Sequence, residues 1–315
     1  MQQMWLNTDM TLLSLFKKKP KIIVICGPTA TGKTSLAIDL AQQFDGEIIS
    51  ADSRQVYQGL DIGSAKVTKE EMRNIPHHMI DVADPRNRYS VAEYKEEAQK
   101  IIDEIISNKK LPIICGGTGM YIDALVFNHS FPEVPENKPL RAKLETKSTE
   151  ELFTLLLSRD SRRAKSIDKH NKVRLIRALE IIEALGKVPQ QKTHSPYSPL
   201  FIGLDVENDL LHTRIKERIL ERLNNQSMLE EAKTLHYQGV SWQRMEELGL
   251  EYRYMARHLQ GDISFQDMVK QLSIATRQFA KRQRTWFKRN RNIHWFNPLI
   301  DKNNIRKLVT QFIKK

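Results

Sequence analysis

A glycine-rich loop that directly follows an apolar run, Ile22–Cys26, is the feature that most constrains this chain. The loop consists of Gly27, Pro28, Thr29, Ala30, Thr31, Gly32, Lys33 and Thr34. This is the Walker A pattern, in which backbone N–H groups surround a phosphate, the lysine reaches the outer phosphate and the threonine hydroxyl binds Mg²⁺. We therefore expect a polyphosphate at this loop and Mg²⁺ at Thr34, although the loop does not specify which polyphosphate.

The order of apolar and amphipathic segments predicts an α/β fold with a P-loop NTPase-like parallel sheet. Strands are expected at Lys21–Cys26, Glu47–Ser50, Ile75–Val82 and Leu111–Cys115, with helices between them. Ligands of such sheets bind beyond the carboxyl ends of the strands. Asp52, Asp81, Thr118 and the glycine-rich loop all follow predicted strands, so we expect them to converge at one edge.

Changes in composition divide the chain into four parts. Residues 1–20 are interpreted as a loose N-terminal arm, and residues 21–127 as the first part of the core. Three prolines between Asn128 and Pro139 mark the start of a helical insertion domain, 128–200, which ends in a second linker. Residues 201–315 are expected to return to the core and to end in basic helices.

The charge of the chain is concentrated near its C-terminus. The formal net charge is +12, and residues 277–315 hold twelve Lys or Arg and one acid, Asp301. Such a segment indicates a nucleic acid partner, although a solvated charged helix would have the same composition. No apolar run is long enough to span a bilayer, and Cys26 and Cys115 have no metal-binding spacing. We expect a cytoplasmic monomer that binds no membrane.

A second dense stretch runs from Ser50 to Tyr57. Asp52 is placed to act as a general base near the loop, and Gln55 offers a donor and an acceptor for the edge of an adenine. The alternative is that Asp52 only caps the following turn. The strand before Gly116 ends in Cys115, where a P-loop NTPase usually has an acid. This favours a phosphate that is bound rather than hydrolysed, with a P-loop kinase or ATPase as the alternative.

Arginine recurs every four residues at Arg214, Arg218 and Arg222, so the three side chains share one face of a predicted helix. An arginine face can clamp a diphosphate from the side opposite the loop. It can also be a surface face paired with Glu217 and Glu221. We select Arg214 and Arg218 as phosphate ligands.

Four motifs follow one another along the chain. They are Gly-Pro-Thr-Ala-x-Gly-Lys-Thr from Gly27, Ser-Ala-Asp-Ser-x-Gln-Val-Tyr from Ser50, Pro-His-His-Met-Ile-Asp from Pro76 and Gly-Gly-Thr-Gly-x-Tyr from Gly116. Together with Val173–Glu180, Arg214–Arg222 and Arg282–Phe287, they resemble the tRNA dimethylallyltransferase (tRNA isopentenyltransferase) family. No cysteine follows Cys115, so the chain looks like the shorter bacterial form without a zinc-finger tail.

The resemblance implies transfer of a dimethylallyl group from dimethylallyl diphosphate to N6 of the adenosine directly 3′ of the anticodon. It implies catalytic roles for Asp52, Thr118 and Arg218. Asp52 would take a proton from the amino group, while Lys33 and Mg²⁺ neutralise the departing diphosphate. The nearest alternative is prenylation of free adenine nucleotides, but the basic tail and the long insertion favour tRNA.

The residues expected to bind tRNA fall into three groups. Near the loop they are Asp52, Ser53, Arg54, Gln55 and Thr118; in the insertion, Val173, Arg174, Leu175, Ile176 and Arg177; in the basic tail, Lys281, Arg282 and Arg284. We expect the insertion and the tail to hold the anticodon stem-loop chiefly through its phosphates. A flipped adenosine would then be read near Asp52 and Gln55.

Overall fold

The computed structural model describes residues 18–190 and 194–315. Residues 1–17 of the predicted N-terminal arm therefore lie outside the described residues. The strands are β1 Lys21–Cys26, β2 Gly46–Ser50, β3 His77–His78, β4 Leu111–Cys115, β5 Ser198–Leu204 and β6 Ile293–Phe296. They form one six-stranded sheet in the order β3-β2-β4-β1-β5-β6, and every neighbouring pair is parallel. The predicted α/β fold with a parallel sheet is confirmed.

Helices connect the strands of the first part of the core. They are α1 Lys33–Phe44, α2 Lys69–Met72, α3 Val91–Ser107 and α4 Gly119–Val126. Ser90 caps α3 by accepting a hydrogen bond from the backbone N–H of Glu93, whose side chain bonds back to Ser90, which is why that helix begins there. Strand β1 is buried on both faces because it lies inside the sheet.

A separate compact unit, His129–Thr193, interrupts the core. Its helices are α5 Lys138–Glu145, α6 Thr149–Arg159, α7 Ser161–Ala164 and α8 Lys172–Leu185. The unit ends before the predicted boundary at residue 200 because the chain has already returned to the sheet. Tyr197 is buried in the core, and β5 begins at the next residue.

The remaining helices belong to the core. They are α9 Asn208–Asn224, α10 Met228–Tyr237, α11 Trp242–Leu248, α12 Leu250–Leu259, α13 Phe265–Phe287 and α14 Lys302–Lys314. Helix α13 packs through Met268 and Leu272 into the same core layer as Val24, whereas α14 packs through Ile305 into the layer of Ile25. Consecutive residues of a strand point to opposite faces. The basic C-terminal segment is therefore divided between the two faces of the sheet.

The expected strand over Ile75–Val82 is wrong for most of its length, since β3 contains only His77 and His78. Met79 and Asp81 have φ angles of 61° and 57°, which lie in the left-handed region and end the extended conformation. Within residues 18–190 and 194–315, no helix has both the length and the apolar character that crossing a membrane requires.

Candidate active site

Two cavities meet beyond the carboxyl ends of β1, β2 and β4. The first, here called the P-loop pocket, has a volume of about 160 Å³ and is lined by Thr29, Ala30, Gly32, Lys33, Thr34, Asp52, Gln55, Ser64, Ala65, Cys115, Gly116, Gly117 and Arg218. The second, the α13 pocket, has about 350 Å³ and includes Ser53, Arg54, Thr118, Thr276, Phe279 and Arg282. Asp52, Ser64, Thr29 and Arg218 line both cavities.

The conformation of the glycine-rich loop depends on Gly27. This residue has a φ of 137°, and a Cβ atom on it would lie 2.2 Å from the backbone oxygen of Leu204 at the end of β5. No other residue type fits both conditions. The loop then leads directly into α1, whose N-terminal N–H groups and dipole favour an anion at this end.

Two cationic side chains meet at the P-loop pocket. The Lys33 ammonium donates to the carbonyl of Pro28 at 2.7 Å, and Arg218 Nη2 donates to the Thr29 hydroxyl at 2.5 Å. Within the described part of the chain, Arg218 Nε is buried and has no hydrogen-bond partner. Burial lowers the pKa of Lys33, and burial together with neighbouring Arg222 lowers the pKa of Arg218 to about 10. A cation that has lost its hydration is stabilised by a multiply charged anion beside it, so the pocket is suited to a diphosphate.

The other two arginines of the predicted face have different positions. Arg222 is 3% exposed and donates to the carbonyls of Ile62 and Gly63, at 3.0 and 2.5 Å, so its guanidinium supports the loop that carries Ser64. Arg214 is not among the described residues that line either pocket. Of the three arginines predicted to share one face, Arg218 is therefore the one that lines the P-loop pocket.

Asp52 performs the turn-capping role that was the alternative to catalysis, and it also lines both pockets. Its Oδ1 accepts a hydrogen bond from the backbone N–H of Arg54 at 2.9 Å. Thr118 fixes the same turn, because its Oγ1 accepts from the backbone N–H of Ser53 at 3.0 Å. The bond at Oδ1 holds the carboxylate in place and leaves its second oxygen available for a substrate proton.

Gln55 is used differently from the prediction. Its Oε1 accepts from the Ser50 hydroxyl at 3.1 Å, and its Nε2 donates to the Ala65 carbonyl at 3.2 Å. The amide that was expected to read an adenine edge thus holds a wall of the P-loop pocket. Asp81 does not join the site either, because its carboxylate pairs with Lys66 at 2.5 Å.

Two positioning residues were missed by the sequence analysis. Glu231 accepts hydrogen bonds from the consecutive backbone N–H groups of Asp61, Ile62 and Gly63, at 2.9, 2.6 and 2.9 Å, and so anchors the loop before Ser64. Three successive N–H groups around one carboxylate form a nest, which a primary sequence does not reveal.

The second is Gln283, which is 6% exposed and lies near the C-terminal end of α13, between two arginines. Its Oε1 accepts from the backbone N–H of Thr29 at 2.8 Å, and its Nε2 donates to the Gly117 carbonyl at 2.9 Å. A Cβ atom on Gly117 would lie 2.2 Å from this amide nitrogen. The helix is therefore joined to the glycine-rich loop and to the loop after β4. The sequence offered one signal for this role, because Gln283 is an uncharged residue between Arg282 and Arg284.

The predicted tRNA ligands of α13 separate into exposed and paired residues. Lys281 and Arg282 are exposed, and the Arg282 guanidinium lies 5.9 Å from the centre of the Phe279 ring. Arg284 pairs instead with Asp205 at 2.6 Å and donates to Asn208 at 2.7 Å. Its prediction as an RNA ligand is corrected, since its guanidinium already stabilises the end of β5.

The predicted ligands of the insertion separate in the same way. Leu175 and Ile176, 0% and 5% exposed, belong to the hydrophobic core of that unit and are too buried to touch an RNA. Val173 is 78% exposed and Arg174 is exposed as well. Arg177 is half-buried and donates to the Val134 carbonyl at 2.7 Å. Helical spacing explains the difference, because α8 has one buried face.

The oxygen atoms of the P-loop pocket fit a magnesium ion. The Thr34 hydroxyl and the Asp52 carboxylate both line it, and both are hard oxygen ligands. Among the described residues, no group of three His, Cys, Asp or Glu side chains is placed to hold a metal by itself. Mg²⁺ commonly takes one or two protein ligands and completes its shell with waters and phosphate oxygens.

Comparison with known proteins places the chain among prenyl-transferring enzymes. Residues 55–290 match the family described as IPP transferase. A tRNA dimethylallyltransferase 2 of Treponema denticola is 43% identical over 287 residues, which is 89% of this chain and 95% of the relative. The tRNA dimethylallyltransferase of Anoxybacillus flavithermus is 39% identical, over 89% of this chain and 91% of the relative.

Solved structures that resemble this chain have names of the same kind as these relatives. The tRNA isopentenylpyrophosphate transferase of Bacillus halodurans has a TM-score of 0.71 and 34% identity, and the match covers 93% of this chain and 96% of that one. A eukaryotic dimethylallyltransferase acting on tRNA has a TM-score of 0.81 and 27% identity, with coverage of 94% and 80%.

Proposed function

Because the chain belongs to the IPP transferase family, we propose that it transfers a dimethylallyl group from dimethylallyl diphosphate to N6 of the adenosine directly 3′ of the anticodon in tRNA. The observation that carries this proposal is the position of Asp52. Its carboxylate lines both the cationic P-loop pocket and the α13 pocket. A base at that point can serve an acceptor in one pocket while the leaving group stays in the other.

The P-loop pocket is proposed to bind the diphosphate. Backbone N–H groups of the glycine-rich loop, Lys33 and Arg218 supply positive charge from several directions. As the allylic carbon separates from the diphosphate, negative charge grows on the leaving oxygen, and these groups stabilise it. Mg²⁺ held at Thr34 would supply further charge neutralisation to the same oxygens.

The α13 pocket is proposed to bind the adenosine. The amino group of adenine is a weak nucleophile because its lone pair is delocalised into the ring. As the new C–N bond forms, Asp52 accepts the proton that leaves the nitrogen. Thr118 and Ser53 position the turn that carries this carboxylate. An adenosine reaches the pocket only after leaving its stack, since a stacked base does not present its amino group to a carboxylate inside a pocket.

The rest of the tRNA is proposed to contact exposed basic residues. Arg54 and Arg282 line the α13 pocket, and Lys281 is exposed on the same helix. In the insertion, Val173 and Arg174 are the exposed residues of the predicted set. The contacts of the arginines and of Lys281 neutralise phosphates and position the RNA without reading its sequence.

The test is a transfer assay with labelled dimethylallyl diphosphate, Mg²⁺ and an unmodified tRNA transcript that has adenosine at the target position. The matched control is the same transcript with guanosine there. We expect label only in the adenosine transcript. Transfer to free AMP instead of tRNA would identify a nucleotide prenyltransferase, and ATP hydrolysis without transfer would identify a P-loop kinase or ATPase. Either result would overturn the proposal.

We also propose that the enzyme works as a monomer in the cytoplasm, where tRNA is available. Cys26 and Cys115 are buried free thiols, as expected in a reducing compartment. Sedimentation of the purified protein with and without tRNA measures the oligomeric state, and a dimer in both conditions would contradict this part of the proposal.

A further inference from the structure

Helices α9 and α13 enclose a second surface feature on the flank of α13 that faces away from the α13 pocket. Two adjacent cavities of about 540 and 500 Å³ share His212 and Arg277 in their walls, and together they are here called the α9–α13 groove. Leu211, Ile215 and Ile274 contribute apolar surface to it. The groove contains none of the residues that line the two pockets of the active site.

One wall of the groove carries a straight row of cations. Lys270, Arg277, Lys281 and Lys288 are all exposed and all line it. They follow one another along α13 at intervals of seven, four and seven residues. A helix turns by about 100° and rises about 1.5 Å per residue, so the four side chains lie on one face, about 10, 6 and 10 Å apart along the axis. Lys216 faces them from α9.

These cations lack the partners that other basic residues of the core have. Arg284, Arg257 and Arg244 each pair with a carboxylate within 4.0 Å. Among the described residues, no carboxylate lies within that distance of Lys216 or of the four cations on α13, and no acidic residue lines the groove. Uncompensated charge in a row is unfavourable for folding alone, so it indicates an external anion with repeating charges.

We propose that the α9–α13 groove binds a ribose-phosphate segment of the tRNA, an inference that rests on the proposed function. The opposite flank of α13 lines the pocket in which the target adenosine is proposed to bind. An α-helix with its side chains is about 10–12 Å across, so an RNA with a base beside Asp52 reaches the row by following the exposed face of α13 for about half of its circumference, roughly 16–19 Å. Phosphates repeat along the strand, whereas carboxylates on a protein surface have no comparable regular spacing. RNA is therefore favoured over an acidic protein.

The experiment compares two variants with the same loss of charge. The groove variant changes Lys216, Lys270, Arg277 and Lys288 to Gln, and the control changes Lys302, Arg306, Lys307 and Lys314 of α14 to Gln. All eight side chains are exposed. The affinity for the tRNA transcript is measured from low to moderate salt. We expect the log–log slope to fall by about three in the groove variant, at roughly 0.7–0.9 per phosphate contact, and to stay unchanged in the control.

Transfer activity separates this inference from the proposed function. At saturating tRNA, the groove variant should retain wild-type kcat because no active-site residue has changed. Equal slopes in the two variants, with normal transfer by the wild type, would overturn the groove assignment and leave the function standing. A reduced slope in the groove variant, with no prenyl transfer by the wild type, would support RNA binding in the groove and overturn the proposed function. Loss of poly-L-glutamate binding with an unchanged tRNA slope would identify a docking surface for acidic proteins instead.

Discussion

The P-loop pocket and the α13 pocket share Asp52 but are built in different ways. The P-loop pocket, about 160 Å³, is formed largely by the glycine-rich loop and by two cations whose pKa values are lowered by burial. The α13 pocket, about 350 Å³, is formed by residues of several helices and of the loops after β2 and β4, and most of these residues are exposed or half-buried. One side is preorganised for an anion, while the other is open enough to admit a base.

This difference follows from what each substrate requires. A departing diphosphate needs fixed charges in place before the bond breaks, since reorganising them during the reaction would raise the barrier. An adenosine that belongs to a large RNA needs an entrance, and most of its binding energy comes from contacts outside the pocket. The comparison implies that substitutions on the two sides change different kinetic constants.

Replacing the shared carboxylate should have the largest effect. Asp52→Asn removes the proton acceptor but retains the hydrogen bond to Arg54, so we expect kcat to fall by about 10²–10⁴-fold with the affinities for tRNA and diphosphate nearly unchanged. Single-turnover transfer assays measure this loss. The matched control is Asp81→Asn, which alters an acid outside both pockets. Normal turnover by the Asp52 variant would reduce that residue to a turn cap.

Replacing a cation of the P-loop pocket should have the next largest effect, and it should change only the kinetics with the prenyl donor, dimethylallyl diphosphate. Arg218→Gln removes a buried charge, and we expect kcat/KM for dimethylallyl diphosphate to fall by roughly 10²–10³-fold, with tRNA affinity maintained. Arg214→Gln, one turn earlier on α9, is the control and should change this constant little. If both variants lose the same activity, the two arginines act together, as the sequence pattern predicts.

The smallest of the three effects should come from the residue that joins the two sides. Gln283→Met has a similar volume but cannot bond to Thr29 or Gly117. Each group left unpaired costs about 1–3 kcal/mol, and both losses should lower the Tm. The Thr29 N–H lies in the loop proposed to bind the diphosphate, so its loss alone should raise the KM for dimethylallyl diphosphate by roughly 5–150-fold. Gln278→Met changes an exposed residue of the same helix and serves as the control. A lower Tm with an unchanged KM would make Gln283 a residue of stability alone.

The core elements and the motifs of the site were predictable because their signals are local. Gly27 to Thr34 between a strand and a helix, and Asp52 and Thr118 after β2 and β4, are set by backbone preferences within a few residues. The boundaries of β1 and β4 agree with the prediction for the same reason. The end of β3 after His78 was not predictable, since apolar composition does not reveal the left-handed φ angles of Met79 and Asp81.

Sequence alone therefore determined the phosphate-binding loop, the parallel sheet and the position of Asp52 beyond a strand, because each depends on neighbouring residues. Tertiary structure decided which basic side chains are available to a substrate. Arg222 and Arg284 are consumed by Gly63 and Asp205, while Arg218 keeps a buried nitrogen without a partner in the described part of the chain. Those partners lie 79 to 159 residues away along the chain, and only packing brings them together.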